Sequence, residues 1–111
     1  MDRLIVKGPA KLNGEVEVSS AKNAYLPILA ATLLSPHKVY LKNLPDLRDI
    51  RTMLKLLENL GVKIQRNGNI TILDASDITS FEATYELVKT MRASILVLGP
   101  LLARFKKAKV S

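Results

Sequence analysis

Apolar positions recur at helical spacing in one part of this chain and alternate with polar ones in others. Leu47, Ile50, Met53, Leu54, Leu57 and Leu60 fall three or four residues apart, with Asp49, Arg51, Lys55 and Glu58 between them. That stripe predicts an amphipathic helix. Gly61 follows as its expected C′ residue and Asp46 precedes it as a candidate cap. An earlier apolar run over residues 21–34 predicts another helix, in which Pro27 either kinks the chain or marks a loose first turn. Alternation over residues 15–18 and 38–43 predicts half-buried strands, and a weaker alternation over 3–7 predicts one more. Residues 62–66 and 69–73 read as two strands joined by Asn67-Gly68, a two-residue hairpin signal of type I′.

The order is strand, helix, strand, helix, strand, strand. This βαβαββ unit places the chain in the α+β class. After a polar connection over residues 74–80 a second cycle begins. It has a short strand at 81–83, a long helical pattern at 89–105 bent at Gly99-Pro100, and a strand opening at 108–111. The chain therefore reads as one complete unit and the start of a second, and as the front piece of a longer protein.

Candidate chemistry gathers at Ser19-Ser20-Ala21-Lys22-Asn23-Ala24-Tyr25-Leu26-Pro27. Either serine is a good N-cap for the helix that follows. A lysine in the first turn has the wrong charge for the positive end of the helix dipole unless an anion joins it. Amides, dipole and ammonium together describe a phosphate or carboxylate site, against the plainer reading of a solvated lysine. Arg92 stands near the start of the second cycle's first helix, matching Lys22 in the first. Two cations in matching positions favour a shared anionic ligand over two unrelated surface charges.

Composition narrows this picture. The 111 residues carry a formal net charge of +7, which fits anionic partners without choosing among them. Aromatic residues are 5% of the chain, too few for a base-stacking surface, and no nucleic-acid-binding motif is present. With no cysteine there is no disulfide or thiolate metal site, and a cytoplasmic location is unopposed. No apolar run is long enough to span a membrane. Neither a metal site nor a cofactor fingerprint is visible. His37 in its Ser-Pro-His turn, Glu15 and Glu17 on one strand face, and the cluster of Lys106, Lys107 and Lys109 read as solvated groups.

Ala21-Lys22-Asn23-Ala24, Leu26-Pro27-Ile28, Leu60-Gly61 with Asn67-Gly68, the run from Leu87 to Ser94 that contains Lys89-Thr90-Met91-Arg92, and Leu98-Gly99-Pro100-Leu101 together resemble the enolpyruvyl transferases. Within that family they look like the N-terminal part of the branch acting on UDP-N-acetylglucosamine. The resemblance runs over essentially the whole chain, and its Lys-Thr-Met-Arg-Ala-Ser run is the most specific part. It implies βαβαββ units arranged as two α/β prism domains around a cleft. Residues 1–20 would belong to the other prism and 21–111 to an incomplete first prism. It further implies that Lys22 and Asn23 contact phosphoenolpyruvate and that Arg92 contacts the UDP-N-acetylglucosamine side.

The implied substrates are phosphoenolpyruvate and UDP-N-acetylglucosamine, with no cofactor, metal, nucleic acid or membrane. The remaining partner is the rest of the parent chain or a second copy of this piece. Ser20 stands where the family commonly has glycine, and Tyr25 where a small residue is common. The family's general-acid cysteine would lie beyond Ser111, so no catalytic residue is expected in this chain and it is expected to be inactive alone. The sister enzyme acting on shikimate 3-phosphate and a non-catalytic anion-binding module are the rival readings.

Overall fold

The computed structural model describes residues 2–89 and 91–111, the side chain of residue 93 excepted. Thr90 of the Lys-Thr-Met-Arg run lies outside the described residues. Two helices and a three-stranded sheet form the first unit. Helix α1 is Lys22–Ala31 and runs on into a 3-10 turn, Thr32–Leu34. Strand β1 is Lys38–Lys42, helix α2 is Arg48–Leu60, and strands β2 and β3 are Lys63–Asn67 and Ile70–Asp74. Strand β3 lies in the middle, antiparallel to both neighbours, in the order β1-β3-β2. Val39 pairs with Leu73 and Leu73 with Ile64. These three side chains share the face that meets the helices, because alternate residues of a strand point the same way.

The stripe on α2 is buried as its spacing predicts except at Leu47, which precedes the helix as its N-cap and is exposed. Ile50, Met53, Leu54, Leu56, Leu57 and Leu60 are all buried, against Leu26, Leu29 and Ala30 of α1 and Leu73 of β3. Leu56 adds a residue that the sequence stripe did not include. Gly61 ends the helix as expected, at φ 118°. The Gly61 amide donates to the Glu58 carbonyl and the Val62 amide to the Leu57 carbonyl, each at 3.0 Å, which is the Schellman pairing.

Several expectations are corrected. The N-cap of α1 is Ala21, with no side-chain capping bond, so neither Ser19 nor Ser20 caps it. The N-cap of α2 is Leu47, and Asp46 instead accepts from Arg51 Nη1 at 2.8 Å. Pro27 lies inside α1 and does not end its first turn. The hairpin turn is centred one residue later than expected, on Gly68 and Asn69, because Asn67 pairs with Ile70. Only the first central residue has positive φ (Gly68, 62°), as a type II′ turn requires, and not both as in type I′.

Residues 3–7 and 15–18 form no strand. Strand structure needs a neighbour for its amides and carbonyls, and no described element runs beside them. Leu4, Leu12, Val16 and Val18 are each about nine-tenths exposed, or close to it, at 92%, 91%, 90% and 88%. This arm accounts for a radius of gyration of 17.0 Å, against about 13 Å for a compact chain of this length.

The second cycle is recognisable but shorter in each element. Strand β4 is Glu82–Ala83, helix α3 is Tyr85–Val88, a 3-10 segment covers Arg92–Val97, helix α4 is Leu98–Phe105, and strand β5 is Lys109–Val110. The single long helix expected over residues 89–105 is thus divided. Gly99 and Pro100 do not bend a helix. They sit in the first turn of α4, where a missing N–H has no intrahelical role to lose. Strands β4 and β5 pair in parallel, Ala83 opposite Val110, so the cycle closes as strand, helices, parallel strand.

Candidate anion-binding site at the start of two helices

Lys22 is the first residue of α1, and Asn23 follows it in the first turn. The start of α2 lies alongside, because the two helices pack through Leu26 and Leu29 on one side and Ile50 and Met53 on the other. Lys22 Nζ donates to Asp49 Oδ2 at 2.9 Å. Neither side chain is buried, with 42% of the lysine and 32% of the carboxylate exposed. Asp49 sits in the first turn of α2, where the helix dipole favours a negative charge. Lys22, placed at the unfavourable end of its own helix, obtains its counter-charge from the favourable end of the next.

Leu47, Arg48, Asp49 and Lys22 line an open cleft of about 390 Å³. Arg48 is exposed and, like Lys22, is the first residue of its helix. A second cleft of about 440 Å³ lies beside it, lined by Glu17, Val18, Ser19, Ser20, Asn43, Pro45, Asp46 and Leu47. The serines expected to cap α1 thus form part of a cleft wall. Tyr25, one turn into α1, packs against the core, and its Oη donates to the Lys42 carbonyl at 2.8 Å. The bond holds the start of α1 against the end of β1.

An ammonium has three N–H donors. One is engaged by Asp49, and among the described residues no other group takes the remaining two, which can meet a ligand oxygen. Asn23 adds a neutral donor and acceptor next to them in sequence. This arrangement can hold a carboxylate or phosphate and stabilise negative charge that develops on it.

Arg92 is exposed and opens the 3-10 segment Arg92–Val97, which packs on α1. The match with Lys22 is looser than the sequence implied. Lys22 opens a ten-residue α-helix and Arg92 a six-residue 3-10 turn. No hydrogen bond or ion pair joins Arg92 to Lys22 among the described residues. Asp49 reads from the sequence as an acid at a helix start that capping and dipole pairing explain, and its link to Lys22 is what sequence reasoning missed. Its contact with Lys22 spans 27 positions of sequence, and no local pattern encodes it.

The basic cluster near the end is partly structural. Lys107 Nζ lies 4.6 Å from the centre of the Phe81 ring, and Lys109 pairs with Glu82 at 3.8 Å. Among the described residues no group of three His, Asp or Glu side chains is placed to hold a metal ion, and no helix is long and apolar enough to cross a membrane.

The family model for EPSP synthase (3-phosphoshikimate 1-carboxyvinyltransferase) matches residues 6–111. The UDP-N-acetylglucosamine 1-carboxyvinyltransferase of Geotalea uraniireducens (strain Rf4) is 61% identical over 111 residues, covering 100% of this chain and 27% of that protein. The proteins of the same name from Geobacter metallireducens and Photorhabdus laumondii are 55% and 57% identical over the same span, which is 27% and 26% of their lengths. The chain thus spans about a quarter of the length of the curated relatives it matches. Among solved structures, the enolpyruvyl transferase NikO from Streptomyces tendae superposes with a TM-score of 0.72 over 84% of this chain and 22% of that one, at 24% identity, a likeness of fold.

Proposed function

Because the chain belongs to the EPSP synthase family, matched over residues 6–111, we propose that it is one part of an enzyme that moves the enolpyruvyl group of phosphoenolpyruvate to the 3-hydroxyl of UDP-N-acetylglucosamine. The observation that carries this reading is the 55–61% identity along all 111 residues to relatives bearing that enzyme's name. The reaction is addition followed by elimination. The sugar hydroxyl oxygen bonds to C2 of phosphoenolpyruvate as C3 takes up a proton, and the hydroxyl gives up its own. The tetrahedral product then loses phosphate from C2 and a proton from C3, which leaves an enolpyruvyl ether. This commits the sugar nucleotide to peptidoglycan, and so serves cell-wall growth, cell shape and division in the cytoplasm.

Lys22 and Asn23 hold phosphoenolpyruvate in this reading. The lysine offsets charge as the phosphate departs, a preorganised cation at the reacting centre. Arg92 holds the UDP-N-acetylglucosamine side with its planar donor fork. The family resemblance implies a cysteine as the acid that protonates C3, and this chain has no cysteine to supply it. Residues 1–20 pair as strands in the parent's other prism domain, which accounts for their exposed leucines and valines, and residues 21–111 belong to the first prism.

The family model carries the name of the sister enzyme, so shikimate 3-phosphate is the second acceptor to test. Phosphate release by the uninterrupted protein is measured with phosphoenolpyruvate and each acceptor in turn. Release with UDP-N-acetylglucosamine alone, lost in Lys22→Ala, supports the reading. Release only with shikimate 3-phosphate, or undiminished release in Lys22→Ala, overturns it. The 111-residue chain alone is expected to release none.

A further inference from the structure

We propose that Asp49 is a positioning residue for Lys22, fixing where the ammonium points its two remaining donors. This rests on the reading of Lys22 as a ligand to the anionic substrate. Three observations carry it. First, the bond is short and direct, 2.9 Å from Nζ to Oδ2. Second, both ends are anchored. Asp49 immediately precedes Ile50, which is fully buried, and Lys22 stands one helical turn before the buried Leu26. The helices that carry the pair share a core, so the separation of their first turns is set by packing. Third, the alternative acid at this helix start is engaged elsewhere, since Asp46 accepts from Arg51 at 2.8 Å.

Magnitude argues that the pair exists for position more than for stability. An ion pair this open to water contributes at most about 1 kcal/mol. A flexible lysine without a partner spreads its ammonium over many rotamers. Tying one N–H to a carboxylate fixed on α2 removes most of that spread before a ligand arrives. A displacement of about 1 Å at a reacting centre can cost on the order of 100-fold in rate.

The test uses the uninterrupted protein and compares Asp49→Asn, Asp49→Glu, Lys22→Ala and the double variant Lys22→Ala/Asp49→Asn. In Asp49→Asn, kcat is expected to fall about 10- to 100-fold. KM for the acceptor stays within about twofold, and Tm moves by no more than about 4 °C. Asp49→Glu recovers part of kcat. In the Lys22→Ala background Asp49→Asn has no further effect, because Asp49 acts only through the lysine. Unchanged kcat in Asp49→Asn overturns the inference, as does a loss that simply adds to that of Lys22→Ala. A large fall in Tm that Asp49→Glu restores without restoring kcat also overturns it, by making Asp49 a structural tie. Undiminished activity in Lys22→Ala instead overturns the functional reading itself, and this inference with it.

Discussion

Arg104 Nη1 donates to the carbonyl oxygen of Ala75 at 2.7 Å, joining α4 of the second unit to the chain leaving β3 of the first. The same nitrogen faces the carbonyls of Leu33 and Ser35 at 3.1 and 3.4 Å, so it also closes the end of α1. The guanidinium is half-buried and lies 4.6 Å from the centre of the Phe105 ring. Three carbonyls from two chain ends thus depend on one cation.

Arg104→Met keeps much of the side-chain bulk and removes these donors. Hydrogen bonds to a charged group are worth roughly 1.5–3 kcal/mol. The expected cost is about 2 kcal/mol, seen as a fall in Tm of roughly 8 °C. Arg104→Lys recovers less than half, since an ammonium is more strongly hydrated than a guanidinium and is a poorer partner for the Phe105 ring. Thermal unfolding followed by circular dichroism checks both.

Gly61 and Gly68 both have positive φ but differ in surroundings. A Cβ on Gly61 would lie 2.7 Å from the Asp77 carbonyl oxygen and 2.7 Å from the Thr79 amide nitrogen, while one on Gly68 meets nothing within 4 Å. Gly68→Ala therefore bears only the conformational cost of the left-handed region, about 1–2 kcal/mol. Gly61→Ala bears that cost and a backbone clash, and is expected to lose at least about 1 kcal/mol more. Urea midpoints of the two variants, at unchanged m-value, give the ordering.

Asp74 is held below the ordinary carboxylate range, first by the Ser76 hydroxyl and then by the Ser76 amide, with Lys38 and Lys63 adding to it. The Ser76 amide donates to Asp74 Oδ1 at 3.0 Å. A depressed native pKa stabilises the fold above the unfolded value, and that contribution is lost as pH falls through the native one. In a carbon-13 titration the Asp74 carboxyl is expected to turn over below the ordinary carboxylate value, and Ser76→Ala is expected to bring it back up toward it. Asp74→Asn correspondingly flattens the acid side of the stability profile.

Tyr25→Phe removes the bond to the Lys42 carbonyl and leaves the ring's packing in place. The expected loss is about 1 kcal/mol. The Lys22–Asp49 pair survives, because the helix contacts that align it do not involve the phenol oxygen. Tm together with the Lys22 Nζ proton signal at low temperature reports both outcomes.

What the sequence discloses here follows the range of its forces. The α2 stripe and the Gly61 stop were legible because periodicity and a C′ glycine are local signals. The hairpin was legible to within one residue, since Asn-Gly and Gly-Asn in Asn67-Gly68-Asn69 compete for the same turn. Alternation at residues 15–18 misled because it records a preference for pairing and not the presence of a partner. The serines before α1 misled because capping needs a particular backbone angle, and Ala21 holds it at φ −78°, ψ 132°. Lys22 was legible from its awkward position on a helix dipole. Asp49, which resolves that awkwardness, was not, because only the packing of two helices brings it near.

The sheet order β1-β3-β2 has a consequence for the order of events as the chain is made. Both outer strands bond only to β3, and β3 is the last of the three to leave the ribosome. Strand β1, whose Lys38 pairs with Asp74, must wait unpaired while α2 and β2 are synthesised. The surface that α1 and α2 share does not depend on β3, whereas every bond that β1 makes in the sheet does.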